Sequence, residues 1–249
     1  MYYQSRCIII KSMDYRESDK LVTVFSENEG KLRGIARGIK KPGSSLRACI
    51  QPFCHSLLYF HRGKELELIT QGRLLDFYGD SREDIKRTLY CVYLMELIDK
   101  ALMDRMAMPR LYRLTLKVLE EINDTGLNPL ILRYFEMQLL VQLGYRPVLD
   151  HCISCGQQGN MLKSFSPAAG GMLCPDCSAG ENDCLILSGE GLALLRLMLT
   201  GNLTTLQRVR ASTVAQDKLE SFLERYLEYH LERRFNMKNT IRILKKMLS

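Results

Sequence analysis

The chain has 249 residues, of which 46% are hydrophobic and 25% are charged. These fractions lie near the averages for globular domains, so a sizeable core is expected and extensive disorder is not. No apolar run approaches the ~18 residues that a membrane span requires, and Ile8-Ile9-Ile10 is too short for the core of a signal peptide. We therefore expect a cytoplasmic protein with no membrane partner.

The net charge of +7 is concentrated in two stretches that contain no acidic residue. Residues 31–64 carry eight basic side chains, and residues 233–249 carry six. Clustered lysine and arginine indicate a polyanionic partner such as nucleic acid. Two solvated basic faces without a partner are the alternative.

Residues 1–79 have the pattern of short β-strands. Runs that are apolar and β-branched, or that alternate with a period of two, occupy residues 6–15, 21–25, 31–37, 53–60 and 65–69 leading into 74–78. Turn sequences such as Asn28-Glu29-Gly30 separate these runs. Five short strands in so short a segment favour a small closed barrel.

From Ser81 onward the hydrophobic pattern has the helical period. Helices are predicted after an N-cap signal at 81–84, from Pro109, from Asn128-Pro129 to Gly144, from Ser188, and over 214–231. Residues 151–179 interrupt the pattern with Gly, Ser, Cys and Pro. The predicted domains are a barrel at 1–79, a helical body in two parts at 80–150 and 180–249, and an insertion at 151–179.

Four of the nine cysteines have the spacing of a zinc site. Cys152 and Cys155 form one C-x2-C pair, and Cys174 and Cys177 form a second pair after eighteen intervening residues. Two residues between thiolates let a tight turn direct both sulfurs at one tetrahedral ion. Two such pairs leave no open coordination position, which is typical of structural zinc. A redox motif needs only one pair, and His151 stays an alternative ligand.

The other reactive side chains do not form a catalytic constellation. Four cysteines lie among apolar residues and are predicted to be core residues: Cys7, Cys49, Cys54 and Cys91. A zinc deaminase places its H-x-E motif before the cysteines, whereas His230-Leu231-Glu232 follows them here. Gly30-Lys31 and Gly63-Lys64 lack the spacing of a P-loop. We therefore predict that the chain is not an enzyme.

A series of short stretches runs through the chain in order: Arg16-Glu17-Ser18-Asp19-Lys20-Leu21, Glu29-Gly30-Lys31, Ala36-Arg37-Gly38, Gln51-Pro52-Phe53, Arg133-Tyr134-Phe135-Glu136, Leu143-Gly144-Tyr145, His151-Cys152 and Gly170-Gly171. Together with the basic barrel, the helices and the inserted cysteine pairs, they resemble the bacterial RecO family. The resemblance implies an α+β fold with an N-terminal OB-fold β-barrel. It also implies an α-helical C-terminal body with an inserted four-cysteine zinc finger.

RecO proteins are recombination mediators in DNA repair. The resemblance implies that the chain binds single- and double-stranded DNA and anneals complementary strands. With RecR, it would help to load RecA onto single-stranded DNA covered by single-stranded-DNA-binding protein. It also implies one structural Zn ion, a nucleoid-associated location, and contact of the helical body with the acidic C-terminal tail of single-stranded-DNA-binding protein.

The sequence departs from the family pattern at one place, and one alternative function stays open. Lys238-Asn239-Thr240 stands where family members often have a Lys-Ser-Arg-like stretch, which leaves the role of the basic segment 233–246 open. The alternative function is a zinc-ribbon OB-fold protein that binds RNA or acts in transcription. The long helical body and the ordered stretches argue against it.

The main DNA contact is predicted on the barrel. Lys40 and Lys41 lie in a Gly/Pro/Ser loop, residues 38–45, that can follow a phosphate backbone. The candidate DNA-binding residues are Arg33, Arg37, Lys40, Lys41 and Arg47, with Lys11, Arg16 and Lys20 as weaker candidates. For Tyr59 and Phe60, stacking on bases is the alternative to burial in the barrel wall.

Overall fold

The computed structural model describes residues 1–39, 44–159, 162–187 and 189–232. The chain divides into two compact units, with the division between Leu127 and Asn128. The predicted positions Lys40, Lys41, Ser188 and the segment 233–246 lie outside the described residues. In the described part of the chain, no helix is long and apolar enough to cross a membrane.

The first unit contains a closed barrel. Its five strands are β1 (Tyr2–Asp14), β2 (Lys20–Ser26), β3 (Gly30–Ala36), β4 (His55–His61) and β5 (Glu67–Asp76). Their order around the barrel is β1-β2-β3-β5-β4, and β4 pairs with β1 to close it. All neighbours are antiparallel except β3 and β5. A short helix, α1 (Leu46–Cys49), lies between β3 and β4. The predicted OB-fold barrel is confirmed.

The alternation of side chains along the strands fills the barrel interior. Cys7 and Ile9 of β1 point into the same buried cluster as Val22 of β2 and Phe60 of β4. Phe60 is fully buried and stacks on Tyr3, with ring centroids 5.1 Å apart. Burial of each such large side chain stabilises the fold by about 1.5–3 kcal/mol. The four cysteines predicted to be core residues are all buried.

Three helices follow the barrel within the first unit: α2 (Gly79–Glu83), α3 (Ile85–Ala101) and α4 (Pro109–Asp124). Asp84 is the N-cap of α3, where its carboxylate accepts from the N–H groups of Lys86 and Arg87 at 2.7 and 3.1 Å. The N-cap predicted at 81–84 is therefore Asp84, while Ser81 lies inside α2. Pro109 begins α4, as predicted.

These helices cover one part of the barrel's outer wall. Helix α3 packs on β1. Ile8 and Ile10, which point outward from β1, are buried. Phe25 of β2 makes an edge-to-face contact with Tyr112 of α4 at 5.4 Å. The outer surface of β2 and of the middle of β1, at Ile8 and Ile10, is therefore buried against the helices.

The segment between α3 and α4 lies directly against the turn between β2 and β3. The N–H of Arg105 donates to the carbonyl oxygen of Lys31 at 2.7 Å. Gly30 has φ +72°, and a Cβ there would lie 2.2 Å from the carbonyl oxygen of Met106. Only glycine fits this close approach. The segment therefore holds Asp104 beside the basic side chains of β3.

The second unit combines helices with a small sheet. The helices are α5 (Pro129–Gln142), α7 (Gly189–Thr200), α8 (Leu203–Gln207) and α9 (Thr213–Leu231). The sheet has the order β7-β6-β8, with β6 (Ser164–Ser166), β7 (Gly171–Leu173) and β8 (Leu185–Ile186). A four-residue helix, α6 (Pro175–Ser178), lies between β7 and β8. Helices α5, α7 and α9 pack against one another.

Helix α5 begins and ends at the predicted capping signals, and α9 begins at a serine cap. The side chain of Asn128 accepts from the N–H of Leu130 at 3.0 Å, and Pro129 is the first residue of α5. Gly144 follows the end of α5 with φ +94°. Helix α9 is capped by Ser212, whose hydroxyl accepts from the N–H of Ala215 at 3.2 Å. The helices predicted at these positions are confirmed.

Candidate metal centre and nucleic-acid interface

The first cysteine pair lies in a tight turn before β6. The N–H of Gly156 donates to the carbonyl oxygen of Cys152 at 2.8 Å, and the N–H of Cys152 donates to the carbonyl oxygen of Gln157 at 2.8 Å. Gly156 has φ +77°, a conformation that glycine adopts without steric cost. The turn directs the side chains of Cys152 and Cys155 toward the same side.

The second pair lies where β7 leads into α6. Cys174 is the N-cap of α6 and Cys177 lies within it. The N–H of Ser178 donates to the carbonyl oxygen of Cys174 at 2.9 Å. The N–H of Ile153 donates to the carbonyl oxygen of Met172 at 2.8 Å, which joins the first turn to β7. This backbone hydrogen bond links the two turns.

The four sulfurs form one compact cluster. The Sγ atoms of Cys152, Cys155, Cys174 and Cys177 all lie within 4.8 Å of one another. The Sγ atoms of Cys155 and Cys174 are 3.7 Å apart. Four sulfurs at ~2.3 Å from a tetrahedral zinc ion are about 3.8 Å apart, so the cluster fits a closed four-thiolate site.

Histidine does not take part in this cluster. The Nδ1 atom of His151 lies 3.0 Å from the Asp150 carboxylate. Within the residues that the structure describes, the four cysteines are the one group of three or more metal-ligating side chains placed to hold an ion. The alternative of His151 as a ligand is therefore not supported.

The local electrostatics favour a thiolate at Cys152. Burial raises the pKa of Cys152, but hydrogen bonds from the backbone N–H groups of Cys155 and Cys174 outweigh it and the pKa falls to about 6. Hydrogen bonding with the thiols of Cys174 and Cys155 raises the pKa of Cys177 to about 12. A bound cation would displace the protons that these thiols share, because metal ligands must be deprotonated.

Loops at one end of the barrel carry several of the predicted DNA-binding residues. The N–H of Gly38 donates to the Oδ1 atom of Asp19 at 3.0 Å, which joins the β1–β2 loop to the segment after β3. The guanidinium of Arg47 donates twice to the carbonyl oxygen of Ile39, at 3.2 and 3.3 Å. The candidates carried by these connected segments are Arg16, Lys20, Arg37 and Arg47.

These four side chains differ in their contacts. Arg37 is exposed. Arg16 is exposed and its guanidinium lies 5.3 Å from the centre of the Tyr15 ring. Lys20 lies 3.5 Å from the Asp14 carboxylate. Exposed Arg16 and Arg37 therefore lie at this end of the barrel, where the β1–β2 loop also carries the acids Glu17 and Asp19.

The other two described candidates, Lys11 and Arg33, face acids that are distant in sequence. Lys11 forms an ion pair with Asp99 at 2.7 Å, and Arg33 lies 3.5 Å from Asp104. Lys31 lies 3.7 Å from Asp99 and 3.6 Å from Asp104. The absence of acids from residues 31–64 predicts a positive charge that is not cancelled locally, and these ion pairs show that the prediction is wrong for Lys31 and Arg33. Sequence reasoning missed Asp99 and Asp104 because no short-range signal places α3, or the segment that follows it, beside β1 and β3.

The two adjacent aromatic residues of β4 point to opposite sides of the wall. Phe60 is fully buried inside the barrel, which excludes base stacking on it. Tyr59 is 37% exposed on the outer side. This difference follows from the period of two along a strand.

Comparisons with known proteins cover both parts of the chain. Residues 1–78 match the family model described as Recombination protein O N terminal, and residues 82–239 match Recombination protein O C terminal. The chain is 60% identical to the DNA repair protein RecO of Syntrophomonas wolfei over 100% of this chain and 99% of that protein. It is 35% identical to the RecO of Moorella thermoacetica over 93% and 87%, and 36% identical to that of Desulforamulus reducens over 93% and 91%. The chain therefore belongs to the RecO family of DNA repair proteins.

Proposed function

We propose that this chain is a recombination mediator that binds single- and double-stranded DNA and anneals complementary strands. The observation that carries the proposal is that Arg16 and Arg37 are exposed at one end of the OB-fold barrel. They lie on two loops that are joined by the hydrogen bond from Gly38 to Asp19. Basic side chains there would neutralise phosphates and release counterions. Contacts to phosphate carry no sequence information, so binding is sequence-tolerant.

A basic surface of this kind also favours annealing. Two strands repel each other through their phosphates, and a cationic surface that binds both lowers this repulsion. Phosphate contacts leave the pairing edges of the bases free for the second strand. The protein would therefore bring strands together without itself reading their sequence.

The partners are a second part of the proposal. With RecR, the chain helps to load RecA onto single-stranded DNA covered by single-stranded-DNA-binding protein, and the acidic C-terminal tail of that protein binds the helical body. Support for these partners comes from membership of the RecO family. An acidic tail on a basic surface predicts binding that weakens as salt increases.

The four-cysteine cluster holds one structural zinc ion in this proposal. Support comes from four thiols whose sulfur separations match a tetrahedral site. The ion would supply folding free energy to the two turns and to the sheet that joins them. A four-thiolate zinc site has no open position for a substrate or water.

A strand-annealing experiment tests the function. Complementary labelled oligonucleotides are mixed with the purified chain, with and without a coat of single-stranded-DNA-binding protein. We expect the protein to accelerate duplex formation in both conditions, and removal of the acidic tail from the coat protein to abolish the acceleration on coated strands only. Annealing no faster than the spontaneous rate would contradict the proposal. Stronger competition by matched RNA than by DNA would favour the RNA-binding alternative.

A further inference from the structure

The outer wall of the barrel has an open part that the helices of the first unit leave exposed. It consists of the first half of β1 together with β4 and β5. Cross-strand pairing places its side chains in rows: Gln4 pairs with Tyr59 and Tyr59 with Gln71, while Arg6 pairs with Leu57 and Leu57 with Arg73. We call these six residues the open barrel face.

The alternation along β1 shows why this face is open. Tyr3 and Cys7 point into the barrel, so Gln4 and Arg6 point outward, and both are exposed. Farther along the same outer side, Ile8 is fully buried under the helices. The outer side of β1 therefore changes from polar and exposed to aliphatic and covered within a few residues.

The open barrel face also has the positive charge that binding of a polyanion requires. Its two charged residues, Arg6 and Arg73, are both basic and both exposed. The next acid along β5 is Asp76, whose carboxylate accepts from the N–H of Tyr78 at 2.8 Å. The two arginines lie on either side of Leu57 in one row, and Tyr59 lies in the next row. Because a strand rises ~3.3 Å per residue, the two rows are about 7 Å apart.

We propose that the open barrel face binds single-stranded DNA, with a base stacked on the ring of Tyr59 and phosphates held by Arg6 and Arg73. This inference rests on the proposed function and names a second contact surface for it. Aromatic rings on a strand flanked by arginines are how sequence-tolerant single-strand binders hold bases and backbone. Gln4 and Gln71 flank the ring and can donate to phosphate or sugar oxygens.

Stacking on Tyr59 selects single strands over duplex. Bases within a duplex are already stacked on each other, so their faces are not available to a side chain. Stacking uses the face of a base and leaves its pairing edge exposed. A strand held in this way can still pair with a complementary strand, which is compatible with annealing.

The absence of tryptophan from the chain allows a direct test. Tyr59→Trp introduces a single tryptophan at the proposed stacking position. We expect an oligo-dT strand to quench its emission to saturation, and a matched duplex to quench it much less. Tyr229→Trp is the control, because Tyr229 is 49% exposed on α9 and lies outside the face. A Tyr59→Trp protein that binds oligo-dT by anisotropy without any quenching of its emission would overturn the inference.

Affinity measurements give a second, independent readout. Removal of a stacking ring weakens single-strand binding about fivefold to a hundredfold. Because Tyr59 is only 37% exposed, the loss of affinity in Tyr59→Ala should lie near the lower figure. Tyr59→Phe should restore most of the loss. Arg6→Ala with Arg73→Ala should flatten the log–log salt slope by about 1.4, whereas Arg113→Ala on α4 should have little effect.

The outcomes separate this inference from the proposed function. Wild-type affinity of Tyr59→Ala, in a protein that still anneals strands, overturns the open barrel face alone. Failure of the unmodified chain to bind single strands overturns both. Thermal unfolding of each variant is measured in parallel, so that a loss of affinity in a folded protein is assigned to the surface.

Discussion

Lys11 of β1 and Asp99 of α3 form an ion pair with a Nζ–Oδ2 distance of 2.7 Å, although 88 positions separate them in the sequence. The same carboxylate lies 3.7 Å from the ammonium of Lys31. Helix α3 therefore has two effects on the barrel. It covers the apolar outer side of β1, and it lowers the positive potential along β3.

Replacing Asp99 should strengthen DNA binding. In Asp99→Asn, Lys11 loses its acidic partner. Lys31 donates to the backbone carbonyl oxygen of Asp99 at 2.6 Å, and this hydrogen bond does not depend on the side chain that is replaced. We expect tighter, sequence-independent binding and a log–log salt slope steeper by about 0.7, the value for one additional contact on a single strand. The stability cost should be at most about 1 kcal/mol, because the pair is partly exposed.

Anisotropy titrations across a range of salt concentrations measure both quantities. Asp183→Asn is the matched control, since Asp183 pairs with Arg225 in the second unit. If Asp99→Asn and Asp183→Asn have the same affinity and slope, the acid of α3 does not modulate binding on the barrel.

Removal of one cysteine ligand should abolish metal binding and destabilise the second unit. We expect freshly purified wild-type protein to contain one zinc ion per chain and Cys174→Ser to contain none. Structural zinc supplies folding free energy directly, so the variant should unfold at a much lower temperature. Cys184→Ser is the control, because Cys184 lies outside the four-sulfur cluster. Zinc-free wild-type protein, or equal stability of both variants, would contradict this prediction.

Acidification should destabilise the first unit through His55. Burial, followed by the charge of Arg6, lowers the pKa of His55, while Asp76 raises it. The unfolded chain therefore binds a proton at a higher pH than the folded chain does. The contribution of His55 to stability is fully present above the unfolded pKa of ~6.5. As the pH drops below that value, the free energy of unfolding decreases by at most about 1.4 kcal/mol per pH unit for one proton.

The free energy of unfolding, measured from pH 8 to pH 5, checks this expectation. His55→Gln should flatten the profile on its acidic side, because glutamine does not titrate. An identical slope in the variant and the wild type would show that other groups dominate the pH dependence.

Much of the fold could be predicted because its signals are local. The alternation in residues 31–37 identified β3, the Asn128-Pro129 pair identified the start of α5, and the C-x2-C spacing identified the four-sulfur cluster. Each signal depends on side chains within a few residues of one another. The opposite orientations of Tyr59 and Phe60 follow from the same alternation, once the strand is known.

Features that depend on distant contacts could not be predicted in this way. The parallel pairing of β3 with β5 joins Gly34 to Glu67, and nothing in either strand specifies its partner. The neutralisation of Lys11 by Asp99 has the same origin. The short helix α8 was also missed, because five residues are too few to show a helical period.

The loops at the end of the barrel that carries Arg16 and Arg37 should make the main DNA contact. Combined replacement of Arg37, Lys40 and Lys41 by Glu should weaken binding to all DNA sequences alike, because phosphate contacts are sequence-independent. Arg37 is exposed beside the joined loops, and Lys40 and Lys41 follow it in the chain. The log–log salt slope on single strands should flatten by roughly 0.7 per lost contact, or about 2 for three contacts.

Two comparisons make the triple variant of Arg37, Lys40 and Lys41 decisive. A matched triple replacement by Glu at exposed positions of α4, Arg110, Arg113 and Lys117, changes the net charge equally and should flatten the slope much less. Zinc content and unfolding of the second unit should stay at wild-type values in both proteins, since neither set of residues belongs to that unit. Wild-type affinity and slope in the loop variant would contradict the assignment and would move the main DNA contact to the basic segment 233–246.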